Sequence, residues 1–167
     1  FYYNPKYLSV VNSKVIAEGF FIKFDYFQKK FFSILKKQKL NLTKCNFILI
    51  RQDPPFNLEY ISTTYILDTI KNKVKIINDP TSIRNTSEKL YSARYKRYMP
   101  KTIFTQNIKE IKNFFKNNKK VILKPIHSYG GNDIHLLSKF DFKFIRKFLK
   151  KHNHIVCQKY LSKINKG

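Results

Sequence analysis

The chain has 167 residues, enough to bury the core of one domain or of two small ones. Its formal net charge of +24 at pH 7 favours, on its own, a nucleic-acid or anionic-membrane partner. Arginine supplies only five of the 34 basic residues, although its planar fork is the better group for reading bases and phosphates. The chain is also rich in Asn, Ile, Phe and Tyr, which share A/T-rich codons with lysine. We therefore interpret the charge mainly as base-composition drift on solvated faces and expect no nucleic-acid partner.

The apolar runs and the cysteines argue against a membrane protein and against a zinc protein. No apolar run approaches the roughly 18 residues that span a bilayer, and no signal peptide is visible, so we expect a cytoplasmic protein without a membrane partner. Cys45 and Cys157 form no CxxC motif and no Cys/His cluster, which argues against a structural zinc site. The chain starts at Phe1 and stops at Gly167 without an obvious terminal element, so we expect a piece that is cut at both ends.

The first part of the chain is predicted to hold strands followed by a helix. Strands rich in β-branched and aromatic residues are expected over residues 1–3, 7–11 and 14–24. Asp25 is predicted to cap a helix that runs to about Lys37. The basic segment 29–39, KKFFSILKKQK, has a membrane-surface or nucleic-acid helix as one interpretation. We favour a core-packed helix with a lysine-rich solvent face and an apolar face formed by Phe27, Phe31, Ile34 and Leu35.

The next elements are predicted to form a βαβ unit. An apolar strand, a Pro-containing turn, a helix and a second strand follow one another over residues 47–50, 53–55, 58–71 and 74–77. In such a unit the strands are parallel, and ligands bind beyond their carboxyl ends. The helix is predicted to turn four side chains inward, namely Ile61, Tyr65, Leu67 and Ile70.

The pattern of a parallel βαβ unit ends between Pro80 and Thr86, where we place a soft domain boundary. Beyond it, a helix opened by Ser87 and Glu88 is predicted to end at Pro100, and further helices are expected over residues 108–116 and 140–151. Strands are predicted from Val121 and over residues 102–105, 133–137 and 155–159. Together these elements indicate the α/β class.

The segment 121–131, VILKPIHSYGG, combines a short buried strand with a glycine loop. Lys124 lies on the strand, so its charge is held in place beside the loop. Gly130 and Gly131 let backbone N–H groups approach a ligand closely, and this combination suits a polyphosphate. An ordinary strand followed by a Gly-Gly turn is the alternative that these residues alone leave open. Metal binding is not indicated, because the histidines have no metal spacing beside acidic partners: His127, His135, His152 and His154.

Four blocks of the sequence, taken in order and spacing, point to one family. The first covers residues 48–67, ILIRQDPPFNLEYISTTYIL, with a DPPF signature followed by a helix of the YIxxTYIL type. The others cover residues 77–90, 121–131 and 158–167. Together they resemble the bacterial glutathione synthetase family of ATP-grasp ligases. The resemblance implies an α/β fold with a pre-ATP-grasp, Rossmann-like domain and a parallel sheet over residues 1–85. Part of an α+β ATP-grasp domain is then expected over residues 86–167.

The resemblance implies an enzyme that joins a carboxylate to an amine. ATP phosphorylates the carboxylate of γ-glutamylcysteine, and the amine of glycine attacks the acylphosphate to give glutathione, ADP and phosphate. The implied partners are therefore ATP, γ-glutamylcysteine and glycine, with Mg²⁺ or Mn²⁺ as cofactor. The sequence leaves the oligomeric state open, with a homo-oligomer as one alternative. The family's Mg²⁺ ligands lie beyond the position of Gly167. We therefore expect neither a metal site in this chain nor turnover by this chain alone.

The resemblance also assigns site residues, although it assigns no catalytic residue. Lys89 and Lys124 are implied to contact the nucleotide phosphates, and the loop 127–131 to close over them and exclude water. Arg51 and Asp53 lie at the carboxyl end of a strand, where a peptide substrate is expected to bind. The remaining ATP-binding residues belong to the loop and to a segment that borders adenine: Ser128, Tyr129, Gly130, Gly131, Gln158, Tyr160 and Leu161.

This chain departs from the family pattern at the start of the loop. The family usually has an acidic residue and a glycine where this chain has His127 and Ser128. Replacing the glycine stiffens the loop, and losing the acid changes the charge beside ATP. Two alternatives stay open: another ATP-grasp carboxylate–amine ligase, such as a glutamate ligase, and a lysine-rich nucleic-acid-binding remnant that has lost catalysis. The DPPF block argues against the first alternative.

Overall fold

A computed structural model describes residues 1–27 and 31–162 of the chain. The chain divides into two compact units, Phe1–Asn85 (unit 1) and Thr86–Gly167 (unit 2). Each unit contains sheet and helix and has its own hydrophobic core, so the α/β prediction is confirmed. Within the described ranges, no helix is both long and apolar enough to cross a bilayer.

Unit 1 begins with an antiparallel sheet of strands β1 (Leu8–Val11), β2 (Lys14–Phe24) and β3 (Phe32–Asn41), with β2 in the centre. Asn12 and Ser13 form the turn between β1 and β2, and both have the positive φ angles that two-residue hairpins favour. Short 3₁₀ turns at Pro5–Tyr7 and Leu42–Lys44 flank the sheet. The strand predicted over residues 1–3 is reduced to a single bridge between Tyr2 and Phe20.

The helix predicted from Asp25 to about Lys37 is wrong. The segment forms β3 instead, which pairs antiparallel with β2 and places Phe32 opposite Phe24. The first eight residues of β3 are exposed, so the interpretation of this segment as a core-packed helix is wrong too. Residues 28–30 of the predicted helix lie outside the described part of the chain.

Turn chemistry and cross-strand pairing explain why the segment is extended. The Asp25 carboxylate accepts a hydrogen bond from the Phe27 N–H at 3.1 Å, and the Asp25 N–H donates to the Phe31 carbonyl at 3.0 Å. Asp25 therefore shapes a turn, which is a common alternative to capping a helix. Across the strands, Lys37 lies 2.5 Å from the Glu18 carboxylate. The pairing with β2 depends on contacts across the two strands, so the spacing of apolar residues within the segment gives no sign of it.

The predicted βαβ unit is present. Strands β4 (Phe47–Leu49) and β5 (Lys75–Ile77) are parallel, and helix α1 (Leu58–Asp68) connects them. Helix α2 (Pro80–Asn85) follows β5. The prediction that Tyr65 points inward is wrong: its side chain is 59% exposed, because α1 buries Thr63, Thr64 and Leu67 instead. Apolar residues lie all round this helix, so their spacing did not identify the buried face.

Unit 2 is built on an antiparallel sheet with the strand order β6, β9, β7, β8. The strands are β6 (Thr102–Thr105), β7 (Val121–Pro125), β8 (His135–Leu137) and β9 (Ile155–Lys159). Helices α4 (Ile108–Asn118) and α5 (Phe142–His152) bury apolar side chains in the core of the sheet. The single helix predicted from Ser87 to Pro100 is instead α3 (Glu88–Tyr91) followed by a 3₁₀ segment, Ser92–Tyr98, with a kink at Tyr95.

Strand β7 helps to position the candidate site because its side chains alternate between buried and half-buried. Val121, Leu123 and Pro125 are buried, and the first two belong to the core of unit 2. Ile122 and Lys124 alternate with them and are half-buried. Because side chains alternate along a strand, Lys124 lies on the face opposite the core residues.

Candidate functional site

A line of polar side chains crosses three neighbouring strands on this face of the unit 2 sheet. The Lys124 Nζ donates to the Gln158 Oε1 at 2.9 Å, and the Gln158 Nε2 donates to the Thr102 Oγ1 at 2.9 Å. The register explains the line, because Gln158 lies opposite both Ile122 and Thr102. The Thr102 Oγ1 donates in turn to the Pro100 carbonyl at 2.7 Å. Gln158 is therefore held at both ends of its amide, and its bond uses one of the three donors of the Lys124 ammonium.

The surroundings of Lys124 perturb its charge. Burial removes water from the ammonium and lowers the pKa of Lys124 below its ordinary value, and the nearby positive charge of Lys89 lowers it further. Both effects disfavour the charged form. An anion placed between the two lysines would act in the opposite direction, so this arrangement suits a phosphate.

Lys89 reaches the glycine loop from α3. Its Nζ donates to the Ile126 carbonyl at 3.3 Å and, through a short bond, to the Ser128 carbonyl. The structure therefore brings Lys89, which is far from Lys124 in sequence, close enough for its charge to act on Lys124, and both lysines lie near the start of the loop. These contacts lie within unit 2.

The loop itself has turn geometry at its start and open space at its tip. The Ser128 Oγ donates to the Pro125 carbonyl at 3.3 Å, and the Asn132 N–H donates to the Tyr129 carbonyl at 3.1 Å. Gly130 and Gly131 have φ angles of +60° and +75°, which L side chains rarely adopt. A Cβ added to Gly131 would meet no atom within 4 Å, so a ligand has room to approach its backbone.

Two of the residues assigned to the adenine segment, Tyr160 and Leu161, lie at the far end of β7 from the loop, whereas the Gln158 side chain reaches Lys124. Lys159 is opposite Val121 in the register, and the Tyr160 N–H donates to the Lys120 carbonyl at 3.1 Å. Leu161 follows and is half exposed. The rise of a strand places this end about 13 Å from the start of the loop.

Arg51 and Asp53 line a separate cavity of about 380 Å³ within unit 1. The cavity opens at the carboxyl end of β4, and its polar lining includes Gln52, Asn57 and Glu59. The Gln52 Oε1 is buried and, among the described residues, has no hydrogen-bond partner. The cavity therefore offers a cation and carboxylates to a ligand, and its size is typical of small-molecule sites.

Sequence reasoning missed two of these polar residues. Thr102 was predicted only as part of a strand, and its role as the acceptor for Gln158 depends on a strand pairing that the sequence does not encode locally. Gln52 lies between the two residues that were singled out, Arg51 and Asp53, so its position in that motif was the available signal.

The described residues do not fit a metal ion. Within residues 1–27 and 31–162, no group of three or more His, Cys, Asp or Glu side chains is arranged to hold one. Asp133 and His152, which approach each other within 3.3 Å, are only a pair. We therefore assign no metal ligand among these side chains.

Comparison with known proteins identifies the family. The family model for the N-terminal domain of prokaryotic glutathione synthetase matches residues 1–84, and the model for its ATP-grasp domain matches residues 88–167. The chain belongs to the prokaryotic glutathione synthetase family. The recognition made from the four sequence blocks is confirmed.

Individual relatives of this family are moderately similar to the chain. The glutathione synthetase of Wigglesworthia glossinidia brevipalpis is 36% identical over 92% of the chain, which corresponds to 50% of that protein. The glutathione synthetase of Agrobacterium fabrum is 30% identical over the whole chain, corresponding to 54% of that protein. The chain thus spans about half the length of the curated relatives it matches.

A solved structure supports the fold. D-alanyl-alanine synthetase A from Vibrio cholerae O1 biovar eltor aligns with 93% of the chain and 48% of its own length, with a TM-score of 0.55 and 12% identity. At this identity the likeness concerns the fold alone. It agrees with a partial ATP-grasp fold, which the match to the family's ATP-grasp domain also supports.

Proposed function

We propose that this chain supplies the nucleotide-binding part of an enzyme that joins γ-glutamylcysteine to glycine. A carboxylate oxygen of the dipeptide attacks the γ-phosphorus of ATP, which gives an acylphosphate and releases ADP. The glycine amine then attacks the acyl carbon, phosphate leaves, and the amine loses a proton as the amide of glutathione forms. The observation that carries the proposal is that Lys89, which donates to two carbonyls at the start of the glycine loop, lies close enough to Lys124 for its charge to lower the pKa of Lys124.

The geometry of unit 2 supports ATP as the nucleotide. Lys89 and Lys124 would neutralise phosphate charge, which is the main task in phosphoryl transfer. The loop residues Ser128, Tyr129, Gly130 and Gly131 would cover the phosphates and keep water from the acylphosphate. Gln158 orients Lys124, while Tyr160 and Leu161 stand about 13 Å away along β7, a separation suited to an extended nucleotide.

The cavity of unit 1 is proposed to bind the dipeptide. Arg51 offers a guanidinium that pairs with a carboxylate through two parallel hydrogen bonds. Asp53 offers a carboxylate for an ammonium group. Its negative charge already contributes to a raised pKa of Tyr60, after the larger effect of burial. Both residues line the same cavity, so a zwitterionic peptide is the ligand class that fits it.

The remaining parts of the proposal concern the whole protein. We assign the complete reaction, with Mg²⁺ or Mn²⁺ accompanying ATP, to the full-length protein, and we expect the 167-residue chain alone to bind ATP without turnover. The proposal extends to a cytoplasmic, homo-oligomeric enzyme, and light scattering after size-exclusion chromatography measures the mass of the assembly.

Phosphate release by the full-length protein tests the proposed reaction. Release from ATP is expected to require both γ-glutamylcysteine and glycine, and Lys124→Met should lower the rate at least about 100-fold, since it removes a phosphate-neutralising charge. Lys139 is exposed in a turn of unit 2, so Lys139→Met makes the same change in composition away from the loop and should leave the rate unchanged. Release that is indifferent to both substrates, or that needs a different amine, would contradict the proposal.

A further inference from the structure

Asp133 follows the glycine loop by two residues and contacts helix α5. The Lys151 Nζ lies 2.7 Å from the Asp133 Oδ2, and the His152 Nε2 lies 3.3 Å from the same oxygen. Asp133 has a φ angle of +55° and follows Gly131 by two residues. These contacts join the downstream end of the loop to an element outside the proposed nucleotide site.

Helix α5 is a fixed support for this contact. Ile145 and Phe148 on α5 are buried in the core of unit 2, and the Asp141 carboxylate caps the helix by accepting from the Phe144 N–H at 2.9 Å. The His152 ring packs on the Phe148 ring with centroids 4.6 Å apart, and its side chain is only 14% exposed. Core packing and the cap therefore fix the helix itself, while the Lys151 side chain that it carries is 64% exposed.

The support continues into the strand that follows the loop. His135, the first residue of β8, packs edge-on against the rings of Phe144 and Phe148, at 5.1 and 5.3 Å. The residues around Asp133 thus join the loop, β8 and α5 in one place. A small cleft of about 180 Å³ lies there, lined by these aromatic and charged side chains.

The tip of the loop is different from its two ends. Lys89 holds the upstream end through the Ile126 and Ser128 carbonyls. Between the two ends, Tyr129 is 47% exposed, and the two glycines have the conformational freedom and open space described above. The part of the loop between these two sets of contacts is therefore short and covers residues 129–132.

We propose that Asp133 is a positioning residue for the glycine loop, acting through its ion pair with Lys151 on α5. The anchor confines loop closure to residues 129–132, so that closing over a phosphate orders only a few residues. Without it the mobile segment is longer, and ordering it costs more conformational entropy. This inference rests on the proposed function only for the identity of the ligand, since the contacts of Asp133 are with residues of this chain.

Hydrogen exchange measured by mass spectrometry tests the anchor directly. Asp133→Asn suits this test because Asn is nearly isosteric and tolerates a positive φ angle. Lys151→Gln removes the partner charge, and Lys150→Gln is the matched control, since Lys150 is exposed and makes no ion pair among the residues that the structure describes. Without nucleotide, Asp133→Asn and Lys151→Gln should speed amide exchange over residues 126–134 by about two- to fivefold, the range expected for a partly exposed ion pair.

The control and the salt dependence decide what the exchange result means. Lys150→Gln should exchange like the unchanged protein, and 1 M NaCl should reduce the difference between Lys151→Gln and the unchanged protein. Unchanged loop exchange in both variants would overturn the proposal. Faster exchange spread over α5 and β8 as well would also overturn it, because that would show a general stabilising contact.

Nucleotide affinity provides the second readout. The Kd of a non-hydrolysable ATP analogue should rise about two- to fivefold in Asp133→Asn and Lys151→Gln and stay constant in Lys150→Gln. If the loop loosens but the analogue binds all three variants equally, the positioning role is wrong while the proposed ATP site stands. If the unchanged protein binds no nucleotide, the proposed function fails, and loop exchange still decides whether Asp133 is an anchor.

Discussion

The ammonium group of Lys124 has lost part of its water to the sheet around it, and this gives nucleotide binding a pH dependence. The lowered pKa of Lys124 means that the free protein loses this charge at a lower pH than an ordinary lysine would. A bound polyphosphate favours the charged form and raises the pKa again. Affinity is therefore constant while Lys124 is protonated in the free protein and falls as the pH rises through its lowered pKa.

Titration of the ATP analogue at several pH values between 6 and 10 measures this effect. The unchanged protein and Lys139→Met should both lose affinity on the alkaline side, by up to about tenfold per pH unit. Lys124→Met should bind more weakly throughout and show a smaller alkaline loss. An identical pH profile in Lys124→Met and the unchanged protein would show that another group governs the titration.

At the scale of elements, a network of side chains joins α1 to α2 in unit 1. The Arg84 Nη2 donates to the Asp68 carboxylate at 2.7 Å, and the Lys71 Nζ lies 2.8 Å from the same group. The Arg84 guanidinium also lies over the Tyr65 ring at 4.3 Å, which explains why Tyr65 is exposed and still packed. The pKa of Asp68 is lowered to about 2, mainly by its hydrogen bonds with Lys71 and Arg84.

Asp68→Asn is expected to lower the free energy of unfolding by about 1–2 kcal/mol at pH 7, because two charge-assisted hydrogen bonds weaken at a partly exposed site. The folded pKa lies below the ordinary value of 3.8, so this stabilisation is present above about pH 4 and is lost as the pH falls towards 2. Urea unfolding at pH 7 and pH 3 measures the difference.

A matched variant separates this network from the loss of a negative charge in general. Asp141→Asn should cost much less, because Asn is as good a helix cap as Asp. Equal destabilisation by both variants, or an Asp68→Asn effect that stays the same at pH 3, would contradict the role of the ion pairs.

The elements that the sequence predicted well are those whose signals are local. Strands β6 and β9 agree with their predicted bounds, because short apolar runs there end at turn residues. Helix α5 begins two residues later than predicted, at the Asp141 cap. The helix predicted for the β3 segment was wrong because the segment pairs with β2, and the 3.6-residue spacing of a few of its apolar residues occurred by chance.

In the candidate site, too, the residues with local signals were predicted and the contacts between distant elements were not. The strand, Lys124 and the two glycines of the loop were visible from residue types alone, whereas Lys89 was assigned only through the family resemblance. The hydrogen bond between Gln158 and Thr102 and the ion pair between Asp133 and Lys151 depend on which strands and helices become neighbours. Those contacts therefore required the structure.

At the scale of the whole molecule, we expect the chain to bind a nucleotide despite a net charge of +24 that would also attract nucleic acid. A specific phosphate site and non-specific electrostatic attraction predict different effects of the same lysine substitution. A phosphate site formed by Lys89 and Lys124 depends on these two side chains, whereas non-specific attraction depends on the sum of 34 basic residues. The two are therefore separable in one protein.

Calorimetric titration of the 167-residue chain with a non-hydrolysable ATP analogue tests this claim most directly. We expect saturable 1:1 binding of the analogue. Its affinity should be at least about tenfold weaker in Lys89→Met and in Lys124→Met and unchanged in Lys139→Met. Binding of a random oligonucleotide should be steeply salt-dependent and nearly equal in all four proteins. An analogue that fails to bind, or that binds Lys124→Met as tightly as the unchanged chain, would contradict the account.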